Sequence, residues 1–370
     1  MENLRKIKPN MIQLLSNTAI SASLIFIPNL AKDLGASDAE IGIISAVYGI
    51  AVFASSYIFG RASDVYDRKF IIQLGLFASA ASFFLQVLAD PSFVFPLWTN
   101  SWMLAVSRGL AGFSIGVFPS ALTAFVYESD NLLGRFNSFG ALGWSIGTFV
   151  AGLFAFYWQA FLLSSLCFLL TFIISLTMGK VTSPRISVPF FPKSVIKKNW
   201  HVYLSFLLRH TGANCIWVVY PLFIASLGAD KFWIGVIYTV NTMAQFIFMP
   251  FLDRFKPKTT IYGGIVLSAL TFFIFTLAQN YLQLLPMQVL LGASWSLIYV
   301  GASLYLMQRN TEKATCTGIL SAVVSLAMVV GSLMGGIIAQ LFDYRATMYV
   351  ATILTLIGLV FFWIGAEKKQ

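Results

Sequence analysis

Apolar residues run along this chain in blocks of about 20, each closed by a short polar segment. That is the length an α-helix needs to cross roughly 30 Å of hydrocarbon at about 1.5 Å per residue. The blocks predict spans at 10–31, 38–62, 69–89, 98–124, 134–155, 157–178, 200–226, 231–252, 259–278, 281–306, 314–340 and 345–366. The expected fold class is therefore an all-α integral membrane protein with twelve transmembrane helices. The longest connection lies near 179–199, which leaves no room for a soluble domain with separate chemistry.

Composition strengthens this picture. Hydrophobic residues make up 58% of the chain and charged residues 10%, against about 45–50% and about 25% in a soluble domain. The net charge of +10 lies in membrane-adjacent loops, so it points to orientation and not to nucleic acid. Of the 24 lysines and arginines, only Lys32, Lys231 and Arg345 fall in loops or span ends on the outer side, and only Arg108 and Arg209 fall deep inside spans. The rest collect on one face, which by the positive-inside bias sets both termini in the cytoplasm. A plasma-membrane protein with a retained first span is expected. Cys167, Cys215 and Cys316 have no metal-ligand spacing, so they are expected to pack, with no metal or cofactor bound.

A displacement of 193 residues aligns Pro28 with Pro221, Leu34-Gly35-Ala36 with Leu227-Gly228-Ala229, and Ile41-Gly42 with Ile234-Gly235. A displacement of 184 pairs Gly134 with Gly318, Gly147 with Gly331 and Gly152 with Gly336, and one of 180 pairs Gly112 with Gly292. Two pseudo-symmetric six-helix bundles follow, at 1–178 and 200–370, joined by a cytoplasmic linker at 179–199 that carries Pro184, Pro189 and Pro192. Duplicated halves suit a transporter, because a site at their interface faces either side when one half rocks against the other.

The turn after the second span reads Gly60-Arg61-Ala62-Ser63-Asp64-Val65-Tyr66-Asp67-Arg68-Lys69. It resembles the G-x-x-x-D-R-x-G-R-R signature of the major facilitator superfamily, with Asp67 at a position that is usually Gly. Asp253-Arg254-Phe255-Lys256-Pro257-Lys258 follows the eighth span as a degenerate second copy. The resemblance implies that Asp64 meets the start of the eleventh span near Gly318, and the repeat then places Asp253 near Gly134. Arg68 and Glu128 join this expected gating cluster. The alternative is a solvated charge run.

The fourth span carries Arg108-Gly109-Leu110-Ala111-Gly112-Phe113-Ser114-Ile115-Gly116, similar to the family's R-x-x-x-G-x-x-x-G pattern. The fifth carries Gly143-Trp144-Ser145-Ile146-Gly147-Thr148-Phe149-Val150-Ala151-Gly152, similar to the G-x-x-x-G-P-x-x-G-G motif of the family's exporters, with Thr148 for Pro and Ala151 for Gly. Gly331, Gly335 and Gly336 echo it in the eleventh span. Small residues at this spacing let helices approach closely.

Charge at membrane depth is costly, so Arg108, Arg209 and His210 are candidates for solute contact. His210, Asn214 and Trp217 share one face of the seventh span, and the repeat sets Asn17 and Ser21 opposite His210 and Asn214 in the first. Asn241 with Gln245 and Trp295 with Tyr299 are further one-turn pairs. The resemblance implies a central cavity lined by the first, fourth, seventh and tenth spans. Each polar side chain could instead bond a neighbouring helix, Arg108 through carbonyls of the first span.

The leading expectation is a monomeric secondary transporter that exports a small organic or amphiphilic molecule. No phosphate-binding loop of the P-loop type is present, no catalytic cluster points to an enzyme, and protons are a candidate coupling ion through His210. An organic anion or phosphate ester held by the arginines is one alternative; a non-transporting membrane sensor of the same fold is another.

Overall fold

The computed structural model describes residues 2–24, 27–36, 38–96, 100–129, 132–151, 153–179 and 188–367. Gly152, residues 98 and 99 of the fourth expected span, and residues 180–187 of the linker with Lys180, Pro184 and Arg185 lie outside them. The described residues are helical, with no strand among them.

The apolar blocks and the helices coincide closely. They are α1 (Glu2–Leu24), α2 (Ile27–Asp33), α3 (Asp38–Val65), α4 (Arg68–Val87), α5 (Ser101–Val117), α6 (Pro119–Ser129), α7 (Leu133–Ala151) and α8 (Tyr157–Leu176), then α9 (Lys193–Trp217), α10 (Tyr220–Ser226), α11 (Lys231–Phe248), α12 (Pro257–Phe275), α13 (Leu284–Arg309), α14 (Lys313–Leu341) and α15 (Tyr344–Glu367). Eight helical stretches among the described residues are long and apolar enough to cross a membrane. Three departures from the expected spans have backbone causes. Pro119 starts α6, so the fourth block breaks at Phe118. Pro221 stands in the first turn of α10 and splits the seventh block after Trp217. Pro250 turns the end of the eighth block into a 3-10 helix, Met249–Arg254. Proline supplies no backbone N–H and fits best in the first turn of a helix. α9 starts at Lys193, directly after Pro192 and ahead of the expected start of the seventh span at 200.

Gly35 and Gly228, matched by the 193-residue displacement, both take a positive φ, at 81° and 91°. Each closes a short helix in the same way: Ala36 N donates to Ala31 O at 2.9 Å, and Ala229 N to Ile224 O at 3.4 Å. This six-to-one bond with glycine in the left-handed region caps a helix that turns sharply.

The chain forms two compact units. One holds 1–132, 139–190 and 311–322, and the other 133–138, 191–310 and 323–370. The start of α14 thus belongs to the first unit and the start of α7 to the second. In the first unit α3 packs on α5, α4 on α5 and α8, and α1 on α8; in the second α11 packs on α13, α12 on α13 and α15, and α9 on α15.

Helix surfaces are apolar on both sides. Along α8, Phe161, Ser164, Phe168 and Thr171 are buried, while Leu166, Leu169, Leu170 and Ile173 are exposed at helical spacing. In water such an outer face would be a large aggregation-prone patch; against lipid it is what a span requires. The inner faces use small hydroxyl residues to join helices: Ser164 Oγ donates to Ala19 O at 2.7 Å and Ser165 Oγ to Ala80 O at 2.9 Å.

Candidate functional site

The first four N–H groups of a helix have no partner inside it, and its dipole places partial positive charge there. Asp64, in the last turn of α3, supplies the acceptor for α14. Ala314 N donates to Oδ1 at 3.2 Å, Thr315 N to Oδ2 at 2.7 Å, and Thr315 Oγ1 to Oδ2 at 2.8 Å. Arg68 Nη2 adds a contact of 3.1 Å to Oδ1, and Asp64 is only 2% exposed. The Arg68 guanidinium continues to Glu128, and Lys313 reaches Glu128 Oε1 at 3.5 Å. One turn back, a Cβ on Gly60 would lie 2.6 Å from Gly318 Cα, so the helices cross backbone to backbone. Gly60, Asp64, Arg68 and Glu128 are thus gathered in one cluster, which also takes in Thr315 and Lys313, residues the sequence reasoning missed.

In the other unit Asp253 caps α7. Gly134 N donates to its Oδ1 at 2.7 Å and Arg135 N to its Oδ2 at 3.2 Å. Asp253 sits on the 3-10 turn that Pro250 imposes, and Met249 O presses within 2.1 Å of where a Gly134 Cβ would stand. Arg254 does not join this cap. It is exposed, and both amide bonds of the cap run to Asp253.

The candidate packing glycines divide. Added Cβ atoms would come within 2.6 Å of Tyr48 O at Gly112, 2.1 Å of Leu14 O at Gly143, 2.3 Å of Thr18 O at Gly147, 2.4 Å of Thr211 O at Gly331 and 2.4 Å of Cys215 O at Gly335. Gly336 corrects the expectation: nothing lies within 4 Å of it. Its neighbour Gly335 takes the contact, and one residue further the helix has turned about 100° away.

Among the polar residues at membrane depth, Arg108 is 2% exposed and stands 4.0 Å over the Tyr48 ring, with Nη1 donating to Gln86 Oε1 at 3.4 Å. Its partners come from α3 and α4, not from α1 carbonyls. Asn17 Nδ2 and Ser21 Oγ bond back to Gln13 O and Thr18 O within α1, and both side chains pack against α7 glycines.

In the other unit, His210 and Trp295 stack at 5.0 Å and 28°, and Trp295 and Tyr299 at 5.1 Å and 19°. Arg209, 2% exposed, lies 5.4 Å over Trp295 and 5.2 Å over Phe272. Asn214 Nδ2 donates to His210 O at 2.8 Å, and its Cβ packs on Gly331.

Trp217 belongs to a separate cluster, against Tyr220 and Tyr238 at 5.3 and 5.2 Å. There Gln245 Nε2 donates to Asn241 Oδ1, Asn241 Nδ2 to Gln288 O, and Gln288 Nε2 to Tyr220 Oη, at 2.6, 3.4 and 2.6 Å. Tyr48, Gln86, Tyr220, Gln288 and Ser268, whose Oγ accepts from Arg209 Nε at 2.9 Å, were absent from the sequence-based set. For Gln86 and Gln288 a signal existed, since each is an amide within an otherwise apolar block.

Apolar-faced helices joined by carboxylate caps and holding buried arginines define a polytopic helical membrane protein. The profile of the Major Facilitator Superfamily matches residues 10–200 and 202–370, and the chain belongs to this family. It is accordingly a multi-pass membrane protein of a family whose members are transporters of small molecules.

The multidrug resistance protein MdtG of Proteus mirabilis is 24% identical over 388 residues, covering 96% of this chain and 94% of MdtG. The quinolone resistance protein NorA of Staphylococcus aureus is 23% identical over 170 residues, 44% of each chain, so that match spans less than half of NorA. The crystal structure of the human organic anion transporter MFSD10 (TETRAN) superposes with a TM-score of 0.75 at 14% identity, covering 98% of this chain and 99% of that one. At that identity the likeness is one of fold.

Proposed function

We propose that this chain is a secondary transporter that works by alternating access and exports a small organic or amphiphilic molecule. It would cross the plasma membrane twelve times as two pseudo-symmetric six-helix bundles, 1–178 and 200–370, with a cytoplasmic linker and both termini inside.

The observation that carries the reading is the carboxylate cap made by Asp64 on the first turn of α14. A buried carboxylate that satisfies another helix's N-terminus is stable when the helices touch and rehydrates when they part. It therefore suits a contact made in one gating state and broken in another. The direction of transport rests on the similarity to MdtG and NorA, both named for drug resistance.

The experiment is uptake of a panel of small organic solutes into everted membrane vesicles, with and without a pH gradient. Saturable uptake above that of vesicles lacking the protein is the expected result. Entry only in the opposite orientation would overturn export. For coupling, His210→Gln keeps size and some hydrogen bonding but removes the titrating group. The expected result is retained solute exchange with loss of accumulation driven by the pH gradient. Unchanged accumulation and pH dependence in this variant would remove His210 from the coupling.

A further inference from the structure

Among the described residues, Arg209 is a buried cation without a counter-ion. Ser268 Oγ, which accepts from Nε at 2.9 Å, is its only hydrogen-bond partner among the described residues, and no carboxylate pairs with it there. The ring faces of Phe272 and Trp295 flank the guanidinium. Ring faces favour a cation but accept none of its in-plane hydrogen bonds. Fixed at Nε and flanked by rings, the group has its Nη fork without an acceptor, and that fork has the spacing to grip a carboxylate or phosphate bidentately.

The residues beside it extend the argument. His210, next in sequence, stacks on the same Trp295, and its Nδ1 is buried with no hydrogen-bond partner among the described residues. Trp295 in turn stacks on Tyr299. Three nearly parallel rings thus adjoin a cation that lacks an anion, and one ring carries a polar atom that lacks a partner. Stacking on rings already held in place costs little ordering. Among the described side chains of this unit the carboxylates are engaged at helix starts: Asp230 caps α11 through Trp233 N, Asp253 caps α7 and Asp343 caps α15 through Ala346 N, so none pairs with an organic cation beside the rings.

We infer that Arg209, His210, Trp295 and Tyr299 form the recognition slot for a planar aromatic acid, its anionic group on the Arg209 fork and its ring against the stacked column. The inference rests on the reading of the chain as a transporter of small organic molecules and specifies the class of molecule.

The test uses the purified full-length protein and equilibrium binding of naphthalene-2-carboxylate, neutral 2-naphthamide, cationic 2-naphthylmethylammonium and inorganic phosphate. The carboxylate is expected to bind at least about tenfold tighter than the amide or the ammonium, the scale of one charge-assisted hydrogen-bonded contact. Phosphate alone should bind more weakly than the carboxylate. Arg209→Gln should bring the carboxylate-to-amide ratio close to one. Trp295→Leu should weaken the naphthalene carboxylate and the naphthamide together and keep their ratio.

If Arg209→Gln does not fold, Arg209→Lys keeps the charge without the fork, and the ratio should still fall. Equal binding of carboxylate, amide and ammonium by the unmodified protein would overturn the inference, as would a ratio unchanged by substitution of Arg209. Phosphate binding as tight as that of naphthoate would overturn the aromatic part. Vesicle flux separates this from the transporter reading. Solutes that cross without any preference for acids sink the slot alone, whereas preferred binding of acids with no flux of any solute supports the slot and sinks transport.

Discussion

Asp64→Asn is expected to leave the protein folded and to cut solute flux by about tenfold or more. The asparagine keeps the shape of the side chain and one acceptor oxygen. Its amide nitrogen, however, would meet the donors of Ala314 or Thr315, where the carboxylate accepts three bonds from α14 and one from Arg68. Hydrogen bonds to a charged group are worth about 1.5–3 kcal/mol each, and about 1.4 kcal/mol shifts a two-state equilibrium tenfold. The loss falls on the closed state of the contact, so the balance between gating states moves while each bundle keeps its core.

Asp253→Asn should have a smaller effect, because Asp253 is less buried, sits on a 3-10 turn and serves the Gly134 and Arg135 amides. Flux in proteoliposomes, together with cysteine labelling from the two sides of the membrane, reads both variants. Normal flux with an unchanged labelling pattern in Asp64→Asn would remove Asp64 from the gate.

Gly143→Val is expected to destabilise the protein by roughly 3 kcal/mol or more, the upper end for overpacking. Its Cβ would stand 2.1 Å from the Leu14 carbonyl oxygen. A backbone oxygen in a helix cannot swing aside as a side chain can, so α7 would have to leave α1. Gly336→Val supplies the contrast within the same class of substitution. Nothing lies within 4 Å of that position, and the expected change is within about 0.5 kcal/mol. Thermal unfolding of both variants in detergent measures the difference. Equal stability of the two would contradict the packing described here.

Gly335 and Gly336 also show where sequence reasoning stopped. They are adjacent and equally small, and only the rotation of α14 about its axis decides which one meets Cys215 O. Helix positions were legible because the bilayer sets the length of an apolar block, and hydropathy reads that length directly. The breaks at Pro119, Pro221 and Pro250 were not, because hydropathy is blind to a missing N–H.

The positions of the carboxylates were legible from the Gly60 to Lys69 turn and its weaker copy. The identities of their neighbours were less so: Thr315 and Lys313 join the Asp64 cluster and Arg254 stays out of the other, differences set by how closely two helix ends approach. Arg108 was legible as a buried charge, yet its partners Tyr48 and Gln86 lie on two other helices, beyond any local window of sequence.

Counterflow in proteoliposomes of the purified protein tests the central claim most directly, because exchange through an alternating site needs no driving gradient. Vesicles loaded with an unlabelled solute that the protein binds should accumulate the labelled solute transiently, with saturation, and Asp64→Asn should suppress the overshoot. A protein that binds the solute yet produces no flux above protein-free vesicles would contradict the account and leave a membrane sensor with the transporter fold.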